Sequence, residues 1–471
     1  MIIYYFIFVI FLLILFFIIY KKKKYTEEIK YSFQTTYHGP SIGDLKNIKN
    51  GFAGRFSGYC LEQELPQTKI KFNNKKNVLI MGDSIICNHT IKYIRECLEE
   101  SFNVAFLNHP HHCKNIEYWF NEWKTDQWDY NIIFYFDGMH GFPNRVTEEE
   151  HRKYTPLLIK RLKKVCDLLI WGNLTPIPKD ELNSLNGPNT REQNVTDLSV
   201  IKRNESIKIV TSELDIPLID LYSLMKPVLC ITQTNPKDLH FNELGQEIYV
   251  KYIAKRIVEE NSKYILQRGN KIIKDLILCD EIFILPRCGS GELDYVFKQK
   301  NLLKKYIKRF LYGKKEEISI NAGIYNLNNN NSHIYKSKFC KCLDISKYHC
   351  KSFINSSFEK HISEKFNLKN IEAKSLEPIY HILQDEIPWT HYLVDKKVLI
   401  IHPFIKSFKK QLENKFKIFE NKNIFLENQK FVFYKAYQTS GNNHIHKDWK
   451  ETYDIMCKDI SKLDFDIALL G

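Results

Sequence analysis

The sequence predicts an α/β protein built on a parallel sheet, and three observations predict it. Short, mainly apolar strand-like runs recur at residues 78–81, 104–107, 132–136, 168–171 and 217–221. Amphipathic runs of helical period alternate with them, at residues 91–100, 148–164 and 198–213, and a further one follows at 243–259. The first apolar run also ends in Gly82-Asp83-Ser84, a turn before a helix. Strands that are apolar on both faces and alternate with helices are buried parallel strands, and such sheets take their ligands at the carboxyl ends of the strands. Ser84 stands at one such end. A serine there is also a good helix N-cap, so the turn alone does not separate a cap from a nucleophile.

Ahead of this region lies "MIIYYFIFVIFLLILFFIIYKKKK". Residues 2–20 carry no charge and are long enough to cross a bilayer as a helix. Basic residues follow the apolar core instead of preceding it, and no small-residue cleavage site comes after. Residues 1–24 therefore read as an uncleaved transmembrane anchor with a basic flank. Lys21 to Lys24 place the bulk of the chain on the cytosolic side by the positive-inside rule. The 12 cysteines form no compact disulfide framework, which agrees. The lumenal alternative stays open, with Asn88, Asn173, Asn194 and Asn204 in Asn-x-Ser/Thr sequons, although such sequons arise by chance in an Asn-rich chain. Residues 25–74 are polar and mixed, a juxtamembrane linker.

Composition narrows the partners. The chain has 471 residues, is 44% hydrophobic and 14% aromatic, and carries a formal net charge of +14. That suffices for large cores in more than one domain. The lysines are dispersed and form no track for phosphates, so nucleic acid is not an expected partner. "HPHHC" at His109–Cys113 reads as a polar loop near the cleft. The spacing in Cys340, Cys342, His349 and Cys350 is unlike common zinc modules, and no metal is assigned to either group. Trp123, Trp128 and Trp171 read as core.

The region ends in "KDLHFNELGQEIYVKYIAKRI", with Asp238 and His240 ahead of a last helix. A serine nucleophile needs an imidazole to take its proton and a carboxylate to orient the ring. Together with "MGDS", "WDYNIIFYFDGMHG", "LIWGNLTPIP", "RNESIKIV" and "IDLYS", this order resembles the SGNH hydrolases, or GDSL-type esterases, over residues 75–262. The resemblance implies a flavodoxin-like three-layer α/β/α sandwich and hydrolysis of ester or acetyl-ester groups without a cofactor. It puts Ser84 as nucleophile, His240 as base and Asp238 as the acid, with Gly82, Asp83, Asp137 and Gly138 around the oxyanion. Two departures stand out. The family acid lies three residues before the histidine, where this chain has Lys237. Phe136 stands where relatives carry an asparagine donor, and one lost oxyanion donor costs on the order of 10²–10³ in rate.

A second region, residues 263–471, opens with a strand-like "EIFILPRCGSGELDYVF", passes through an Asn-rich stretch read as a mobile loop, and closes with another βα alternation. Its segments "LEPIYHILQDEIPWTHYLVDKKVLIIHPFIKSFKKQL" and "FVFYKAYQTSGNNHIHKDWKETYDIMCKDISKLDFDIALLG" resemble the GT-D type of glycosyltransferase-like domain. That implies a second, Rossmann-like α/β domain, with Arg287, Gly289, Glu292 and Asp294 near a sugar nucleotide or a divalent metal. Relatives continue past the strand matching "DFDIALLG", so the domain is expected to be truncated. The expected whole is a membrane-anchored esterase acting on acetylated glycans. Its rivals are a glycan-binding scaffold with a degenerate site and a lipid esterase.

Overall fold

The computed structural model describes residues 75–471, apart from 88–89, 109–115, 140–145, 178–195, 234–238, 280, 298–317, 319–321, 352–356, 415–416, 418–420 and 442. The expected anchor and linker lie outside the described residues. Among the described residues no helix is long and apolar enough to cross a membrane. The chain divides into two compact units, Met1–Asn261 and Ser262–Gly471.

The first unit is a five-stranded sheet of order β2-β1-β3-β4-β5, parallel throughout. Its strands are β1 (Lys76–Gly82), β2 (Phe102–Asn108), β3 (Tyr130–Phe136), β4 (Cys166–Gly172) and β5 (Leu218–Ile219). This is the flavodoxin-like strand order. The central strands are apolar on both faces because both faces are covered: Val78 to Met81, Ile132 to Phe136, and Ile170 and Trp171 are all buried. β5 is shorter than the five-residue run in the sequence, because Asp220 leaves the sheet to cap the next helix, accepting from the Ser223 amide.

For this parallel strand order, the right-handed rule for crossovers distributes the helices over the two faces. Helix α1 (Ser84–Cys87) and helix α2 (Ile91–Leu98) follow β1. On the other face lie α3 (Ile116–Glu122), α4 (Glu148–Leu162) and α5 (Asp197–Glu213). Arg161 of α4 pairs with Glu117 of α3 at 3.0 Å, and Arg203 of α5 with Glu148 of α4 at 2.8 Å. Capping boxes at Thr147 and Thr196 start α4 and α5. After β5 come two short helices, α6 (Leu221–Met225) and α7 (Leu229–Thr232), and then α8 (Glu243–Leu278). The start of α8 meets α2, where the Tyr93 hydroxyl donates to Glu243. Trp123, Trp128 and Trp171 are core residues, all at most 5% exposed. Trp123 stacks on Trp128 with ring centroids 6.4 Å apart.

The second unit holds two small parallel sheets in place of one continuous one. β6 (Tyr348–Lys351) pairs with β7 (Lys369–Glu372) across α11 (Ser357–Lys365). β8 (Lys397–His402), β9 (Lys430–Lys435) and β10 (Ile467–Leu470) form a sheet of order β10-β8-β9. Ile273, Ile277, Cys350, Ile371, Trp389, Leu393 and Val398 form a core cluster. Two expectations are corrected. Residues 281–286 form no strand, although the Pro286 carbonyl accepts from Cys350 N at 2.8 Å. A proline there has no amide to give to a ladder. The Asn-rich stretch is not a loop: Asn328 caps α10 (Asn329–Asp344) through a capping box with Asn331. Asparagine is poor inside a helix but among the best residues at its start, and the cap position decides the outcome.

Candidate active site

The site lies at the carboxyl ends of β1 and β3. These strands are neighbours although β2 comes between them in the chain, and here the strand order reverses, where open α/β sheets bind ligands. β1 ends at Gly82, which sits against Ile86 and Phe136. Ser84 opens helix α1 and is 5% exposed. Its Oγ lies 2.8 Å from His240 Nε2, a direct hydrogen bond between residues 156 positions apart. With Nε2 accepting from the hydroxyl, the imidazole is placed to take the proton as Oγ attacks. Asp238, the expected orienting acid, lies outside the described residues.

Asp83 holds the two strand ends together. It is 1% exposed. Its Oδ1 accepts from the Ile85 amide at 2.9 Å and its Oδ2 from the Met139 amide at 2.8 Å. Both bonds are charge-assisted and buried, so the turn carrying Ser84 is fixed to the loop after β3. Gly138 makes the approach possible. Its φ is +74°, and a Cβ there would fall 2.4 Å from Asp83 Oδ2. No other residue fits without strain. The Met139 amide, engaged by Asp83, is therefore not a donor for an oxyanion.

Asp137 was expected beside the oxyanion, and the structure directs it elsewhere. Its Oδ2 lies 3.0 Å from His151 Nε2 and 3.7 Å from Arg203 Nη1, and the Tyr135 hydroxyl donates to Oδ1 at 3.4 Å. Arg203 also donates to the Val146 carbonyl and to Glu148 Oε1, each at 2.8 Å. His151, Arg203 and Asp137 are all buried, so this is an enclosed polar network behind the site. The Arg203 guanidinium partly offsets the Asp137 charge, although it is shared with Glu148. Sequence reasoning missed His151 and Arg203. Both read as polar residues of amphipathic helices, and only the tertiary pairing distinguishes them. Phe136 is fully buried, so its ring is core and not part of an open site wall.

The neighbouring strand end is equally tied down. Asn173, just past β4, accepts from the Leu221 and Tyr222 amides at 2.6 and 3.1 Å and donates to Asp220 at 2.8 Å. Burial pushes the Asp220 carboxyl up, but hydrogen bonds from Ser223 and Asn173 outweigh it and leave the group below its ordinary range. Asn204 exchanges two bonds with the backbone of Leu174, at 2.8 and 2.9 Å.

In the second unit, Arg287 and Gly289 are exposed ahead of α9 (Ser290–Phe297), and Glu292 lies in its first turn. A Cβ on Gly289 would fall 2.1 Å from Glu292 Oε2, so this carboxylate folds back over its own turn. The side chain of Asp294 lies outside the described residues. Burial, with Glu292 adding to it, pushes the Cys288 thiol up to about 12. The four "CKCLDISKYHC" residues divide between α10, which carries Cys340 and Cys342, and β6, which carries His349 and Cys350. Among the described residues no group of three or more His, Cys, Asp or Glu is placed to hold a metal. His109–Cys113 lie outside them.

No family model matches the chain, and no curated protein does. Among solved structures, it is similar to a member of the lipolytic protein G-D-S-L family from Veillonella parvula, with 21% identity over 38% of this chain and 97% of that one and a TM-score of 0.30. It is also similar to the acetylxylan esterase Axe2 from Geobacillus stearothermophilus (12% identity, 40% and 96% coverage, TM-score 0.30). A third is a lipase/acylhydrolase from Enterococcus faecalis (16% identity, 39% and 95% coverage, TM-score 0.31). The strand order and the Ser84–His240 geometry stand on their own.

Proposed function

We propose that the first unit is a serine ester hydrolase, with Ser84 as nucleophile and His240 as general base. The observation that carries this reading is the 2.8 Å hydrogen bond from Ser84 Oγ to His240 Nε2 at the strand-order switch point. Oγ would attack the ester carbonyl as its proton passes to Nε2. The same imidazolium would then protonate the leaving alcohol, and water would release the acyl group by the reverse sequence. Asp238 is the proposed orienting acid. The Ser84 amide, which begins a helix and so has no intrahelical partner, is the proposed oxyanion donor. With the Met139 amide engaged by Asp83 and a phenyl ring at Phe136, the oxyanion is under-supported and slow turnover is expected.

The proposed substrate is an O-acetyl group on a glycan. What supports it is the resemblance of residues 271–471 to a glycosyltransferase-like domain, in which Arg287, Gly289, Glu292 and Asp294 remain the candidate sugar-nucleotide contacts. Residues 2–20 are the proposed anchor, with the bulk of the chain cytosolic, which protease accessibility in sealed vesicles tests. Acetate release from an activated acetyl ester and from acetylated oligosaccharides tests the enzymatic reading. Turnover that is lost in S84A supports it. Full retention in S84A, or no turnover by a folded wild type, overturns it.

A further inference from the structure

The Ser84–His240 bond joins two segments from opposite ends of the first unit, and one buried side chain spans the gap behind it. Tyr249 lies in the second turn of α8 and is 1% exposed. Its hydroxyl donates to the Ile85 carbonyl at 2.5 Å, one residue past Ser84. Helix α1 has only four residues, so its carbonyls depend on donors from outside the helix. The Tyr249 ring also meets Phe241, one residue past His240, edge to face with centroids 5.6 Å apart and planes at 65°. Phe241 itself is 3% exposed and fixed on its other side. It forms an antiparallel bridge with Gln233, and the next amide, Asn242 N, donates to the Thr232 carbonyl at 2.7 Å. The Gln246 side-chain amide donates to the Phe241 carbonyl at 2.8 Å.

We infer that Tyr249 is a positioning residue that sets the separation of Ser84 and His240, acting through the Ile85 carbonyl on one side and the Phe241 ring on the other. This inference rests on the serine-hydrolase reading. A nucleophile and base must meet at about 2.6–3.2 Å for the proton to pass, and a displacement of 1 Å can cost on the order of 10²-fold. Ser84 and His240 stand 156 residues apart in the chain, so a support shared by their two segments helps to hold that tolerance. Tyr249 is enclosed, bonded through its hydroxyl to Ile85 and packed through its ring on Phe241, which is what such a support requires. It touches neither substrate nor the reacting atoms.

Tyr249→Phe removes the hydroxyl and keeps the ring on Phe241. In full-length protein, kcat on an activated acetyl ester is expected to fall roughly five- to tenfold, the loss that one ordinary hydrogen bond carries, with KM unchanged. Titration of active serines with a fluorophosphonate separates positioning from misfolding. The labelled fraction should stay at the wild-type level while the labelling rate falls with kcat. In a crystal structure of Y249F, the Ser84 Oγ to His240 Nε2 separation should be measurably longer than the wild-type 2.8 Å. Wild-type kcat and an unchanged Ser84–His240 distance in Y249F would overturn the inference and leave the hydrolase reading intact. A lower labelled fraction with normal kcat per labelled site would also overturn it, because the role would then be structural only. A folded wild type that neither turns over ester nor labels would refute the underlying reading, and a normal distance in Y249F would still count against Tyr249 separately.

Discussion

Replacing Gly138 with alanine tests the joint between β1 and β3. The backbone there has φ +74°, which costs an alanine about 1–2 kcal/mol. The new Cβ would fall 2.4 Å from Asp83 Oδ2 and 2.6 Å from Cγ, inside any permitted contact, so the carboxylate must move. Its movement breaks the bond from the Met139 amide, a buried charge-assisted bond worth about 1.5–3 kcal/mol. The sum is about 2.5–5 kcal/mol, a large share of the roughly 5–15 kcal/mol that holds a domain folded. In a unit of this size it should lower the melting transition by about 10 °C. Gly441→Ala is the control. Its φ is +68° and nothing lies within 4 Å of its Cβ position, so it bears the backbone term alone. Thermal unfolding followed by circular dichroism gives the comparison, and ester turnover per folded molecule should fall in G138A as well, because Asp83 precedes Ser84. A G138A protein that melts no lower than G441A would refute the account of this joint.

Arg203→Met should destabilise the first unit by about 3–5 kcal/mol in chemical unfolding, because it leaves the buried Asp137 carboxylate without its guanidinium partner. Substitution of the half-buried Arg256, which pairs with Glu259 and Glu260 along α8, should change less, because these are pairs at the protein surface. Burial pushes the thiols of Cys166, Cys288 and Cys350 up from 9.0 to about 12. Iodoacetamide at pH 8 should therefore modify the exposed Cys230 and Cys457 and spare these three, as read by peptide mass spectrometry. The same shifts have a sign for stability. The folded state keeps these protons where the unfolded state loses them, so their contribution is whole below pH 9 and drains as pH rises toward 12, which unfolding curves across that range check.

The sheet of the first unit was legible because a strand buried on both faces leaves an uninterrupted apolar run, and residues 78–81 and 132–136 are such runs. The Ser84 turn was legible for a related reason: small and polar residues after a buried strand mark the edge where ligands bind. What stayed hidden depends on tertiary pairing. Asp137 in sequence is an acid beside a glycine. That it faces His151 and Arg203 is decided by helices 14 and 66 residues further on. Tyr249 reads as one more apolar position of an amphipathic helix, and only the packing of α8 brings its hydroxyl to Ile85. In the second unit the βα alternation led to β8, β9 and β10. The stretch before α9 misled because Pro286 ends any ladder there, and the Asn run misled because composition does not register a cap.

The central claim is that Ser84 is a nucleophile with His240 as its base, and covalent trapping tests it most directly. Full-length protein is treated with a fluorophosphonate, digested, and the adduct mapped by mass spectrometry. The expected result is one adduct per chain, on the peptide containing Ser84. It should be absent in S84A and formed at least a hundredfold more slowly in H240A, in keeping with the 10²–10⁴-fold contribution of a positioned general base. A folded wild type that takes no adduct, or takes it elsewhere while Ser84 stays unmodified, would contradict the account.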